Sequence, residues 1–122
     1  MVQGYVIAES LRPGARLGGL KATLVDIERR AARNAAGDQP KTWTFIRFES
    51  SDAPERLAAA LAEVLDDAPA RWYTDFRSGD ERFVVFPKRV FRYRLGDRAG
   101  RAEAQEYARS IGVPSRQVDW DE

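Results

Sequence analysis

Residues 71–94 read Arg71-Trp72-Tyr73-Thr74-Asp75-Phe76-Arg77-Ser78-Gly79-Asp80-Glu81-Arg82-Phe83-Val84-Val85-Phe86-Pro87-Lys88-Arg89-Val90-Phe91-Arg92-Tyr93-Arg94. Trp72, Thr74 and Phe76 alternate with Tyr73, Asp75 and Arg77, the period of a strand with one buried face. Ser78-Gly79-Asp80 is turn chemistry. Phe83-Val84-Val85-Phe86 is apolar on both faces and reads as a central strand covered on both sides, or on one side with a loop over the other. Pro87 breaks the run because it cannot donate to a ladder. Val90 to Leu95 alternates again, with Phe91, Tyr93 and Leu95 against Arg92 and Arg94. The stretch is an antiparallel meander.

Working outward, Asp52-Ala53-Pro54-Glu55 opens a helix before the meander, with Asp52 as cap and Glu55 in the capping-box position. Leu57, Leu61, Val64 and Leu65 form its apolar stripe, and Pro69 stops it. After the meander, Asp97 caps a second helix striped with Ala104, Tyr107, Ala108 and Ile111. Gly112 and Pro114 terminate that helix, and Val118 and Trp120 dock the tail behind it. Upstream, Thr42 to Glu49 is a strand with Trp43 and Phe45 on one face and Thr44, Ile46 and Phe48 on the other. Gln3 to Ser10 is the first strand, and Arg12-Pro13-Gly14-Ala15 a type II turn. Residues 20–36 fit both a helical stripe and a strand alternation. The strand, forming a hairpin with the next one across Asn34 to Pro40, fits better because no cap opens a helix at Lys21.

The expected fold is therefore α+β, a mostly antiparallel sheet in β-β-β-α-β-β-β-α order with two helices packed on one face. The other face is left wet, covered by loops or meeting a second subunit. With 122 residues the chain makes one domain, residues 1–122. No apolar run is long enough for a membrane span, and Met1 leads into no secretion signal. The absence of Cys fits a reducing cytoplasm. Charge is unevenly placed. Arg71, Arg77, Arg82, Lys88, Arg89, Arg92 and Arg94 outnumber the acids of the meander, whereas the first helix region is rich in Asp and Glu. The simplest reading is attraction between helix and sheet; the sharper one is a basic surface for an acidic partner.

Several stretches carry a resemblance across nearly the whole chain. They are Glu9-Ser-Leu-Arg-Pro-Gly14, Gln39-Pro40 leading to Trp43-Thr44, Trp72 to Ser78, Phe83 to Phe86, Val90 to Tyr93 and Gly100 to Gln105. They resemble small uncharacterised single-domain proteins of high-GC actinobacteria. The resemblance implies a bacterial, cytoplasmic protein and brings no activity, ligand or catalytic residue with it.

The chain has no His and no Cys, which excludes Ser-His and Cys-His nucleophile schemes and disfavours zinc or iron. Asp66-Asp67, Asp80-Glu81 and Asp119/Asp121/Glu122 lack calcium-loop spacing, so no metal and no cofactor are expected. Strand alternation places Tyr73, Asp75 and Arg77 on one face, either as a cross-strand ion pair or as a polar site. Arg92 and Arg94 suggest phosphate contact, but Tyr93 lies on the opposite face from both, which disfavours nucleic acid. Two functions remain. The first is a non-catalytic binding or protein-interaction module, its aromatic and arginine-rich sheet face contacting another protein or a second copy. The alternative is a small-molecule site, possible as an enzyme, lined by Trp43, Arg47, Trp72, Tyr73, Asp75 and Arg77.

Overall fold

The computed structural model describes residues 1–67, 72–118 and 120. The expected helix stop at Pro69, the place of Arg71 and the acidic tail residues Asp119, Asp121 and Glu122 lie outside the described residues. The strands are β1 (Val2–Ile7), β2 (Ala22–Ala31), β3 (Thr42–Ser50), β4 (Thr74–Ser78), β5 (Glu81–Phe86) and β6 (Arg89–Arg94). The helices are α1 (Pro54–Val64), between β3 and β4, and α2 (Arg98–Ser110), after β6. The expected β-β-β-α-β-β-β-α order is observed. The strands form one six-stranded sheet in the order β2-β3-β1-β4-β5-β6, and every pairing is antiparallel. Residues 20–36 resolve as the strand and hairpin, since β2 pairs with β3 along its length with a bulge between Leu24 and Asp26. The first strand is shorter than expected. It ends at Ile7, and Ala8–Ser10 form a 3₁₀ turn.

The helices do not share one face of the sheet. Val84 and Val85 are both fully buried, and consecutive strand residues point to opposite sides. Val85 and Phe83 pack in a core with Leu57, Ala58 and Leu61 of α1. Val84 and Phe86 pack in a separate core with Ala104 and Ala108 of α2. The sheet therefore lies between the helices, α1 on one face and α2 with the C-terminal tail on the other. This arrangement covers the doubly apolar run Phe83–Phe86 on both sides, and each large side chain gains about 1.5–3 kcal/mol by burial on its own side. Val118 and Trp120 dock into the α2 core, as their position after the helix predicts.

The helix starts differ from one another. Asp97 caps α2, its carboxylate accepting from the Gly100 N–H at 3.0 Å. Asp52 does not cap α1, where Ala53 holds the N-cap place without a side-chain bond. The Asp52 carboxylate instead accepts the Lys21 N–H at 2.7 Å and ties the start of β2 to the α1 entry. Glu55, freed from a capping box, pairs with Arg92 of β6 at 2.9 Å, one direct link between the acidic helix and the basic meander.

Two carboxylates make the fold acid-sensitive. Burial pushes the Glu9 carboxyl up. The Thr44 N–H (2.7 Å) and hydroxyl (2.9 Å), with Arg29 nearby, more than offset this and hold it below its ordinary value. Hydrogen bonds from Arg92, at 2.6 Å to each oxygen, hold the Glu81 carboxyl low as well. A lowered folded pKa gives stability that is fully present above the unfolded value of about 4.3 and is lost as pH falls through the folded value. Urea midpoints of the wild type are expected to fall as pH is lowered below that value. Glu9→Gln and Glu81→Gln should each flatten this acid limb, and acid limbs identical to wild type would contradict both assignments.

Candidate functional site

The side chains of β1 and β3 that share the α2 face of the sheet include Tyr5 and Ile7 opposite Arg47 and Phe45. α2 does not reach this half of the sheet. It is bordered instead by the β2–β3 connection and by the tail after α2. Together they enclose a cleft of about 230 Å³. Its aromatic wall is Tyr5, Phe45, Trp43, Trp72 and Tyr73, and its polar rim is Arg30, Asn34, Gln39 and Gln117. A wider depression of about 450 Å³ continues past Arg30 along residues 31–34.

Each wall is held in place. Trp43 donates its indole N–H to the Pro40 carbonyl at 2.9 Å and meets Trp72 edge-on with ring centres 5.4 Å apart. The Tyr73 hydroxyl donates to the Gln117 carbonyl, and its ring packs edge-on against Trp120. The connection and the tail are stitched together by buried amides. Gln117 Nε2 donates to the Asn34 carbonyl and to Gln39 Oε1, the latter at 2.8 Å. Gln39 Oε1 also accepts the Ala36 N–H at 2.9 Å, and Arg116 donates to the Ala35 carbonyl at 3.0 Å. The Arg30 guanidinium carbon lies 4.2 Å from the centre of the Phe45 ring, a cation–π contact in a cleft with no carboxylate among its described lining residues.

The predicted site residues divide. Trp43, Trp72 and Tyr73 line the cleft. Trp72 and Tyr73 both reach it because they precede the first ladder residue of β4, so strand alternation does not apply to them. Arg47 stands just outside, 5.7 Å from the Phe45 ring centre and bound to Asp26 at 2.8 Å and Glu28 at 3.0 Å. Those bonds hold its pKa above the ordinary arginine value.

Asp75 is not a cleft residue, and its ion-pair partner is not Arg77. Its carboxylate pairs with Arg82 at 2.7 Å, diagonally across β4 and β5, where Asp75 is opposite Val84 and Arg77 opposite Arg82. Arg77 donates instead to the Gly79 carbonyl at 3.2 Å. The Asp75–Arg82 pair shares a face with Tyr93, whose phenol is pushed up chiefly by burial, with the Asp75 charge adding to the rise. Arg92 and Arg94 stand on the α1 face. Arg92 binds Glu81 and Glu55 and lies over the Phe83 ring, so its charge is spent inside the fold. Arg94 is exposed, opposite Glu81.

Tyr5, Ile7, Arg30, Asn34, Phe45, Gln39 and Gln117 are cleft residues that the sequence does not single out. Tyr5, Ile7 and Phe45 carry a usable signal, since alternation places them on a defined strand face. The three amides carry none, because their roles depend on contacts across long sequence separations. Among the described residues no three carboxylates gather as a metal site, and no helix is long and apolar enough to cross a membrane. No protein-family model, curated protein or solved structure matches this chain.

Proposed function

We propose that this chain is a cytoplasmic, non-catalytic interaction module that pairs through the outer edge of β2, with a second copy as partner. The carrying observation is the state of β2. All ten of its residues are exposed, and Leu24, Val25 and Ile27 are 56%, 53% and 57% exposed on a strand whose outer edge no strand covers. Such an edge is a template for strand addition. Asp26 and Glu28 precede Arg29 and Arg30, so antiparallel pairing sets the acidic half of one copy beside the basic half of the other. Arg30 on β2 and Phe45 and Arg47 on the neighbouring β3 add the aromatic and arginine chemistry that dominates interface hot spots. The lack of His and Cys supports binding over catalysis.

Light scattering over a range of concentrations is expected to show a dimer that Ile27→Lys converts to a monomer with unchanged thermal unfolding. A wild type that stays monomeric at the highest concentration would remove the second copy as partner.

A further inference from the structure

The geometry points to the cleft between the β1–β3 face and the tail as a binding site for a small planar aromatic carboxylate. Its size sets the scale, since about 230 Å³ is below the roughly 300–1,000 Å³ of pockets for drug-sized ligands. A molecule built on one ring, or two at most, fits. The walls set the shape. Trp43 and Trp72 present an edge-on aromatic corner, and Phe45, beside Trp43, continues the wall to Tyr5 with tilted rings 5.8 Å apart. Flat π-systems stack into such corners better than aliphatic chains do.

The rim sets the charge. Among the described residues of the lining, Arg30 carries the charge. Its nearest carboxylate, Glu28, is 3.9 Å away and is itself held at 3.0 Å by Arg47. Gln39 is 6% exposed. Its carbonyl oxygen is occupied by Ala36 and Gln117, while no hydrogen bond among the described residues engages its amide NH₂. The amide nitrogen is not shut away from solvent, so it can donate to an anion in the cleft. A guanidinium and an amide donor beside an aromatic wall, with no acid among the described lining residues, are complementary to a ring bearing one carboxylate. The cleft shares Arg30 and Phe45 with the surface proposed for self-association, so benzoate is titrated into Ile27→Lys as well as the wild type, which separates the two readings.

Benzoate and its neutral isostere benzamide test the site when titrated into the full chain and followed at the Trp43 and Trp72 indole N–H resonances. Benzoate is expected to shift both resonances saturably, and benzamide to bind about tenfold or more weaker, the value of a charge-assisted hydrogen bond. Arg30→Gln, a change at an exposed side chain, should cost benzoate about tenfold in affinity with the fold intact. Arg30→Lys should retain part of that affinity. No saturable shift, equal binding of benzamide, acetate binding as tightly as benzoate, or benzoate affinity unchanged in Arg30→Gln would each overturn the proposal.

Discussion

Asp75→Asn is expected to destabilise the fold by about 2–4 kcal/mol, far more than the loss of a surface ion pair. Asp75 and Arg82 retain only 15% and 13% side-chain exposure, and their charged atoms are 2.7 Å apart. Removing the carboxylate charge leaves a guanidinium in a site largely withdrawn from water. Arg82 already has one nitrogen, Nε, that is buried without a partner. Loss of one member of a fully buried pair costs about 3–5 kcal/mol, and the remaining exposure brings the value here somewhat lower. The double variant Asp75→Asn/Arg82→Met should recover part of the loss, because it removes the stranded charge as well. Urea unfolding of the two single variants and the double variant measures the coupling. A cost below about 1 kcal/mol for Asp75→Asn would class the pair with exposed ones. Because Asp75 lies outside the cleft, benzoate binding in this variant should be unchanged wherever the protein is folded.

Gly100→Ala is expected to destabilise the protein by about 1–3 kcal/mol, against the sign that helix propensity alone predicts. Alanine is favoured over glycine in a helix interior by about 1 kcal/mol. At Gly100, however, a Cβ would lie 2.5 Å from the Cβ of Tyr93 and 3.2 Å from its Cγ. Carbon atoms in contact prefer roughly 3.5–4.0 Å, and the Cβ of a strand residue cannot rotate away. α2 would have to lift from β6, opening the core formed by Val84, Phe86, Phe91 and Ala104. The new methyl would also stand 3.0 Å from the Asp97 carboxylate that caps the helix. Ala102→Gly, at an exposed position of the same helix, provides the comparison and should cost only the propensity difference of about 1 kcal/mol. Thermal and urea unfolding of both variants decide the matter. A Gly100→Ala protein more stable than wild type would show that α2 does not approach β6 this closely.

Much of the site was illegible in the sequence for a definite reason. Trp43, Trp72 and Tyr73 stood out because large aromatics near a sheet are conspicuous, and all three line the cleft. The sequence offered Asp75 either a cross-strand ion pair or a polar site beside Tyr73 and Arg77, and the sheet supplies the ion pair through Arg82 on β5. Spacing within one strand could not name that partner. Gln39 and Gln117 meet across the chain, and nothing local marks either as a wall of a site.

The sequence by itself determined the α+β class, the order of the elements, with residues 20–36 leaning to a strand, and the apolar faces of the two helices and the meander, whereas the alternation of β2 buries nothing. Alternation, stripes of apolar residues and the Asp97 cap are local signals that act over a few residues. The run Phe83–Phe86 read as a strand covered on both sides, or on one side with a loop over the other. Only the tertiary structure decided what does the covering. It put α1 and α2 on opposite faces, left β2 bare at the edge, paired Asp75 with Arg82 and folded the tail against the β2–β3 connection to make the cleft. Each of these depends on strand order and on contacts between residues far apart in the chain. They are chosen by burying both faces of β5 at once, a condition on the whole sheet that no short segment carries.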